Sequence, residues 1–224
     1  MFVGRIMHTD LVTAPPDTSL ARAKEMLDEK EIDHLLVLDK QGKLTGIVSD
    51  RDLKQSWASP ATSLSRHELS YILDSLTVDM IMVKKIITIT AATTIERAAL
   101  IMQEHRINAL PVMEDETLIG IITSTDVMGV LLEANGIDDD STRFVVMVTD
   151  RIGSIAEVSR ILKDQKINIR SIFSYPEKKY PGVFQLVMRV SASNGDKAIA
   201  ALTEGGFKVL TDYVEDVSAY LPDK

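Results

Sequence analysis

The chain repeats itself. Ile6-Met7 returns as Ile81-Met82, and at that same spacing Val12-Thr13 returns as Ile87-Thr88, Thr18 as Thr93, and Arg22-Ala23 as Arg97-Ala98. The register continues through Ile32, Leu35 and Val37, matched by Ile107, Leu110 and Val112. After a one-residue deletion in a turn, Gly46-Ile47-Val48-Ser49-Asp50-Arg51-Asp52-Leu53 matches Gly120-Ile121-Ile122-Thr123-Ser124-Thr125-Asp126-Val127. Self-similarity held over most of two segments marks a tandem duplication, and it constrains the architecture more than any single motif. A unit this short covers its apolar face by stacking on its twin.

Each copy reads as strand, helix, hairpin, helix. In the first, Asp17 or Thr18 is placed to cap a helix carrying Leu20, Ala23 and Leu27 on one face. In the second, Thr93-x-x-Glu96 has the spacing of a capping box ahead of Ile95, Ala98, Ala99 and Met102. Apolar runs at 34–38 and 44–48, and again at 109–113 and 118–122, flank polar turns and predict hairpins. Residues 1–60 form repeat 1 and 78–135 repeat 2. Between them, 61–77 reads as a connecting helix opened by Ser65-x-x-Glu68 before Leu69, Ile72, Leu73 and Leu76. The acidic, Gly-containing stretch at 136–142 reads as a linker.

The rest of the chain, 143–224, does not continue the repeat. A strand at 143–149 runs into the turn Asp150-Arg151-Ile152-Gly153, and Ser154-x-x-Glu157 has capping-box spacing before Val158, Ile161 and Leu162. Strands follow at 167–175 and 183–190, then a helix from Asn194 through Ala198, Ile199 and Leu202, closed by Gly205-Gly206. A last strand spans 207–213. The order βαββαβ predicts a ferredoxin-like sandwich. The expected fold class is therefore α/β in the α+β sense: two stacked small repeats and a C-terminal sandwich.

Composition removes several functions. Among 224 residues there is no cysteine, which excludes disulfides, zinc-thiolate fingers, iron–sulfur clusters and a thiol nucleophile. A formal net charge of −8 argues against non-specific nucleic-acid binding, which depends on Lys and Arg neutralising phosphates. Apolar runs are far shorter than the ~20 residues that cross a bilayer, and His8 and Asp10 interrupt any signal-peptide core near the start. The expectation is a soluble, cytoplasmic protein with no membrane or nucleic-acid partner. His8, His34, His67 and His105 show no paired metal-ligand spacing, and phosphate-loop, nucleophile-elbow and dinucleotide fingerprints are missing. Neither a metal site nor a catalytic residue is expected.

The Ile-Met openings, the Val-Thr and Ile-Thr steps, and the two Gly-hydrophobic-hydrophobic-Ser/Thr-x-x-Asp segments resemble a pair of CBS domains. Asp150-Arg151-Ile152-Gly153-Ser154-Ile155, with the helix after it and Lys166-Ile167-Asn168-Ile169, resembles an ACT domain. Ile152 stands where ACT loops often have Pro. The order, with Ala58-Ser59-Pro60-Ala61-Thr62-Ser63-Leu64-Ser65 between the copies, resembles the acetoin utilization protein B family. That resemblance implies a regulatory protein, not an enzyme, linked to acetoin or central-carbon metabolism. It implies an adenosine nucleotide (AMP, ADP or ATP) as reversible ligand, no covalent cofactor, an amino-acid effector at the ACT domain, and a homodimer or larger homo-oligomer. It places Thr13, Ile47, Ser49, Arg51 and Asp52 in one nucleotide site, and Thr88, Ile121, Thr123 and Asp126 in the other. In the ACT domain it points to Asp150, Gly153, Ser154, Ile155 and Asn168.

The Ser/Thr-x-x-Asp pairs carry two readings. A hydroxyl at the mouth of a helix suits a phosphate, and an Asp three residues on can accept both hydroxyls of a ribose. The same spacing is also a capping box. A dimerisation scaffold without ligands, and a small enzyme with its active site in the cleft, stay open beside the sensor reading.

Overall fold

A computed structural model describes residues 1–56, 75–137 and 140–222. The connecting helix expected from Ser65 lies outside the described residues. The chain forms two compact units, Met1–Met128 and Gly129–Lys224.

In the first unit, repeat 1 contains β1 (Thr13–Ala14), α1 (Leu20–Lys30), β2 (His34–Leu38), β3 (Leu44–Ser49) and α2 (Asp50–Ser56). β1 pairs parallel with β2, and β2 antiparallel with β3. A short helix, α3 (Val78–Ile81), opens repeat 2, which also holds α4 (Ile95–His105), β4 (Ala109–Glu114), β5 (Thr117–Thr123) and the start of α5 (Ser124–Ala134). Repeat 2 has no counterpart of β1 beyond a single parallel bridge, Ile89 to Val112. The reason is Pro111. In repeat 1 the Leu36 N–H donates to the Val12 carbonyl, whereas Pro111 at the matching position has no N–H to give.

The helix starts sit one residue later than the spacing suggests. Ser19, not Asp17 or Thr18, caps α1 by accepting from the Arg22 N–H at 3.2 Å. Thr94, not Thr93, caps α4 in the same way through the Arg97 N–H. The displaced residues are otherwise engaged: the Thr18 carbonyl accepts from Val78, and the Thr93 hydroxyl accepts from the Thr90 N–H.

The repeats exchange their leading segments. The leading residues of repeat 1 dock on repeat 2, where Val3 N–H donates to Thr93 and His8 bridges Ile121 through two backbone bonds of 2.9 and 3.0 Å. The leading residues of repeat 2 dock on repeat 1 in the same pattern, Val78 to Thr18 and Val83 to Ile47. Val3 and Val78 are wholly buried as a result. The exchange explains the glycine in each repeated motif. A Cβ on Gly46 would lie 2.1 Å from Met82 Sδ, and one on Gly120 2.5 Å from Met7 Sδ. The Ile-Met and Gly elements are therefore two halves of one contact.

The second unit is a four-stranded antiparallel sheet, ordered β7-β8-β6-β9, with β6 Ser141–Thr149, β7 Ile169–Pro176, β8 Val183–Ser191 and β9 Lys208–Leu210. Helices α6 (Ser154–Asp164) and α7 (Gly195–Glu204) cover one face, where their Leu162 and Leu202 share a core with Phe144, Val146 and Val148 of the sheet. This is the expected ferredoxin-like order. The other face, with Val145, Met147 and Val187, is covered by Val217, Tyr220 and Leu221 of the C-terminal segment, which the sequence pattern left unassigned. The linker is shorter than 136–142, because Ser141 and Thr142 already belong to β6. The Ser171 hydroxyl donates to the Asn135 carbonyl and Arg170 pairs with Asp140, so its flanks are tied to β7.

Gly46→Ala should destabilise the fold by about 1–3 kcal/mol, the cost of overpacking a filled core position. Met82→Ala in the same chain should recover part of that loss, as read by urea unfolding of the four members of the cycle.

Candidate functional site

The repeated motifs face one cavity of about 1050 Å³ in the first unit. Ile47, Ser49, Arg51 and Asp52 line it from repeat 1, and Ile121, Thr123 and Asp126 from repeat 2. Thr13 and Thr88 are not among its lining residues; their neighbours Val12 and Ile87 are.

Each motif forms the same closed box. The Asp52 carboxylate accepts from the Ser49 N–H at 2.8 Å and the Ser49 hydroxyl at 2.6 Å, while the Asp52 N–H donates back to that hydroxyl at 3.2 Å. Asp126 accepts from the Thr123 N–H and hydroxyl at 2.7 Å each, and its own N–H donates back at 3.4 Å. The capping geometry is thus fully formed in both copies. One carboxylate oxygen, Oδ2, takes both bonds in each case, so Oδ1 decides what else the group can accept. Asp52 Oδ1 accepts no hydrogen bond among the described residues. Asp126 Oδ1 lies 2.9 Å from His8 Nε2.

Burial pushes the Asp126 carboxyl up, but bonds from the Thr123 hydroxyl, His8 and the Thr123 N–H outweigh it and hold the group below the ordinary Asp value. Asp126 is therefore an anion, which can only accept, so His8 Nε2 carries the shared proton. Asp50 is paired with Lys54 and Lys24, which depress its carboxyl. Arg51 stays exposed beside it.

His34, which its sequence context left without a role, also lines the cavity. Burial lowers its imidazole below the ordinary histidine value, against the pull of Asp33 and Asp52. Its Nδ1 is buried and meets no partner among the described residues. The only sequence signal was a histidine opening the strand that leads to the cavity.

In the second unit the ACT candidates separate. Gly153, at φ +96°, is the N-cap of α6 and exposed, next to fully exposed Ile152. The expected Ser154-x-x-Glu157 box does not form. Ser154 is buried and its hydroxyl donates back to the Thr149 and Arg151 carbonyls, while Glu157 pairs with Arg151 at 2.9 and 2.5 Å. The reason is the left-handed turn at Gly153, which makes Ser154 the first helical residue instead of the cap. Asp150 and Ile155 are exposed on the loop and the first turn. Asn168 lies apart from them, in an open groove with Ser159, Lys163 and Lys166. Among the described residues no cluster of three or more His, Asp or Glu could hold a metal ion, and no helix is long and apolar enough to cross a membrane.

Two duplicated half-sites opening on a shared cavity, with a ferredoxin-like sandwich after them, define a class: tandem α/β regulatory modules joined to a second regulatory fold. The CBS domain family matches at residues 3–58 and 78–133, and the ACT domain family at 142–204. The chain belongs to the CBS domain family, as a tandem CBS pair followed by an ACT domain.

A CBS domain-containing protein of Dictyostelium discoideum is 31% identical over 134 residues, spanning 59% of this chain and 92% of that protein. Homoserine O-acetyltransferase of Methanohalobium evestigatum is 32% identical over 133 residues, 59% of this chain; the match spans only 24% of that enzyme. A Burkholderia ambifaria structure assigned to signal transduction with CBS domains covers 62% of this chain and 99% of its own, at 23% identity and TM-score 0.51, which shows the shared fold. A Vibrio cholerae structure assigned to acetoin utilization is 26% identical, covers 59% of this chain and 91% of its own, and has a TM-score of 0.49. CBSX2, solved with AMP, is 31% identical over 59% of this chain and 96% of its own, with a TM-score of 0.47.

Asp126→Ala removes the acceptor of the second box and should lower stability at neutral pH by about 1 kcal/mol. Because the folded-state carboxyl is depressed, its contribution is complete above the ordinary Asp value and fades as pH falls through the folded one. Urea titrations of parent and variant should therefore converge on acidification.

Proposed function

We propose that this chain is a non-enzymatic sensor that takes adenosine nucleotides in the cavity of its CBS pair. The observation that carries the reading is the shared cavity itself: both Asp52 and Asp126 line it, each held through Oδ2 by its box, with Oδ1 outside the box. A carboxylate fixed in this way is a natural partner for the vicinal hydroxyls of a ribose. The volume is at the upper end of the ~300–1,000 Å³ common for small-molecule sites. Carboxylates outnumber Lys and Arg around the lining, which favours AMP or an adenosyl compound over ATP. Binding would act by population shift, limited by the ligand's preference between conformers, and the regulated partner would read the result.

The ACT domain we read first as a dimerisation element. One sheet face is covered by helices and the other by the chain's own C-terminal segment, which leaves the β7 edge, with Ile172, Phe173 and Tyr175 exposed, for a second copy. The exposed Asp150–Gly153 loop is the place for an amino-acid effector. A ligand-free scaffold is the second reading, favoured by one observation: both boxes are satisfied without any ligand.

A thermal-shift panel of AMP, ADP, ATP, NAD and S-adenosylmethionine separates the two, since a ligand bound only to the folded form raises Tm. Branched-chain and aromatic amino acids and acetoin belong in the same panel. AMP should raise Tm, and Asp52→Ala and Asp126→Ala should each weaken the affinity of their own half-site about tenfold. A panel without any shift would leave the scaffold reading standing.

A further inference from the structure

The duplication makes the two halves of the cavity comparable position by position, and one of their differences falls beside the carboxylates. His8 and Val83 hold equivalent places in the exchanged leading segments: His8 bridges Ile121 and Val83 bridges Ile47, each five residues before the Asp of its half-site. His8 Nε2 reaches Asp126 Oδ1, so both oxygens of that carboxylate are engaged. The Val83 side chain has no donor to offer, and among the described residues Asp52 Oδ1 accepts no hydrogen bond.

We propose that His8 is a latch on the Asp126 half-site, a positioning residue that makes the two nucleotide sites unequal. The inference rests on the nucleotide reading above and deepens it. The first AMP goes to the Asp52 half, where the ribose acceptor is free. The second reaches Asp126 only when the imidazole swings away.

The geometry makes this release local. The His8 backbone is pinned to Ile121 by two hydrogen bonds, so the side chain turns while the strand stays. The ring is 61% exposed, and water replaces its lost partner on release. A solvent-facing contact of this kind is a soft latch, worth a difference of about three- to fivefold in affinity. Because the latch comes from repeat 1 and its target lies in repeat 2, neither half of the chain contains the second site alone.

The test is calorimetry with AMP on the full chain. In an Asp52→Ala background, which leaves the Asp126 half as the measured site, His8→Val should tighten binding about three- to fivefold, and His8→Gln, which keeps a donor, should fall between the two. In the otherwise unaltered chain, Val83→His should weaken the tighter site by a similar factor. Both side chains are exposed, so circular dichroism and Tm should stay at parent values. If His8→Val leaves the Asp126 half unchanged or binds AMP more weakly, the latch is overturned while nucleotide binding stands. Absence of heat from the parent chain itself overturns the nucleotide reading and the latch with it.

Discussion

The first unit depends on four backbone hydrogen bonds, two between His8 and Ile121 and two between Val83 and Ile47. Each repeat builds a hairpin whose second strand, β3 or β5, would otherwise carry an open edge beside the cavity. Unpaired N–H and C=O groups there are costly when buried and invite pairing with other chains. The leading segment of the opposite repeat supplies the partner. It brings with it a fully buried valine, Val3 or Val78, and a methionine that fills the place a Cβ would take on Gly120 or Gly46. Edge pairing, core burial and cavity wall thus come from the same few residues.

Much of this fold was legible because periodicity survives duplication. The hairpins, the helix faces and the βαββαβ order follow from apolar spacing, which packing enforces strongly. What failed was local. The capping-box template selected Thr93 through Glu96, but the chain uses Thr94 and Arg97, because the Thr93 hydroxyl is already engaged by Thr90. Pro111 could have warned that the second copy lacks a ladder bond. The exchange itself was illegible: Ile-Met and Gly were visible as repeated elements, yet nothing in a linear pattern says that each methionine belongs to the other copy's glycine. For the same reason Val217, Tyr220 and Leu221 could not be placed over the far face of the sandwich.

The candidate site was legible as chemistry and only partly as geometry. Ser49-x-x-Asp52 and Thr123-x-x-Asp126 had two readings, capping and recognition. The capping geometry is formed in both copies, and it uses one oxygen, Oδ2, of each carboxylate. Thr13 and Thr88 stand one residue from the wall, which Val12 and Ile87 line instead. His8 and His34 carried no spacing signal, since their roles come from contacts made across the fold. In the sandwich, Ser154 looked like a cap, but the φ of Gly153 turned it into the first residue of the helix.

The exchange also sets an order of assembly during synthesis. His8 and Asp126 are 118 positions apart. At ribosomal speed the first residues wait on the order of ten seconds for the strand they will cover. Repeat 1 closes sooner, once the segment around Val78 has emerged. The Asp52 half of the cavity is therefore built while the Asp126 half still lacks its wall, and a nascent chain holds half a cavity before it holds a whole one.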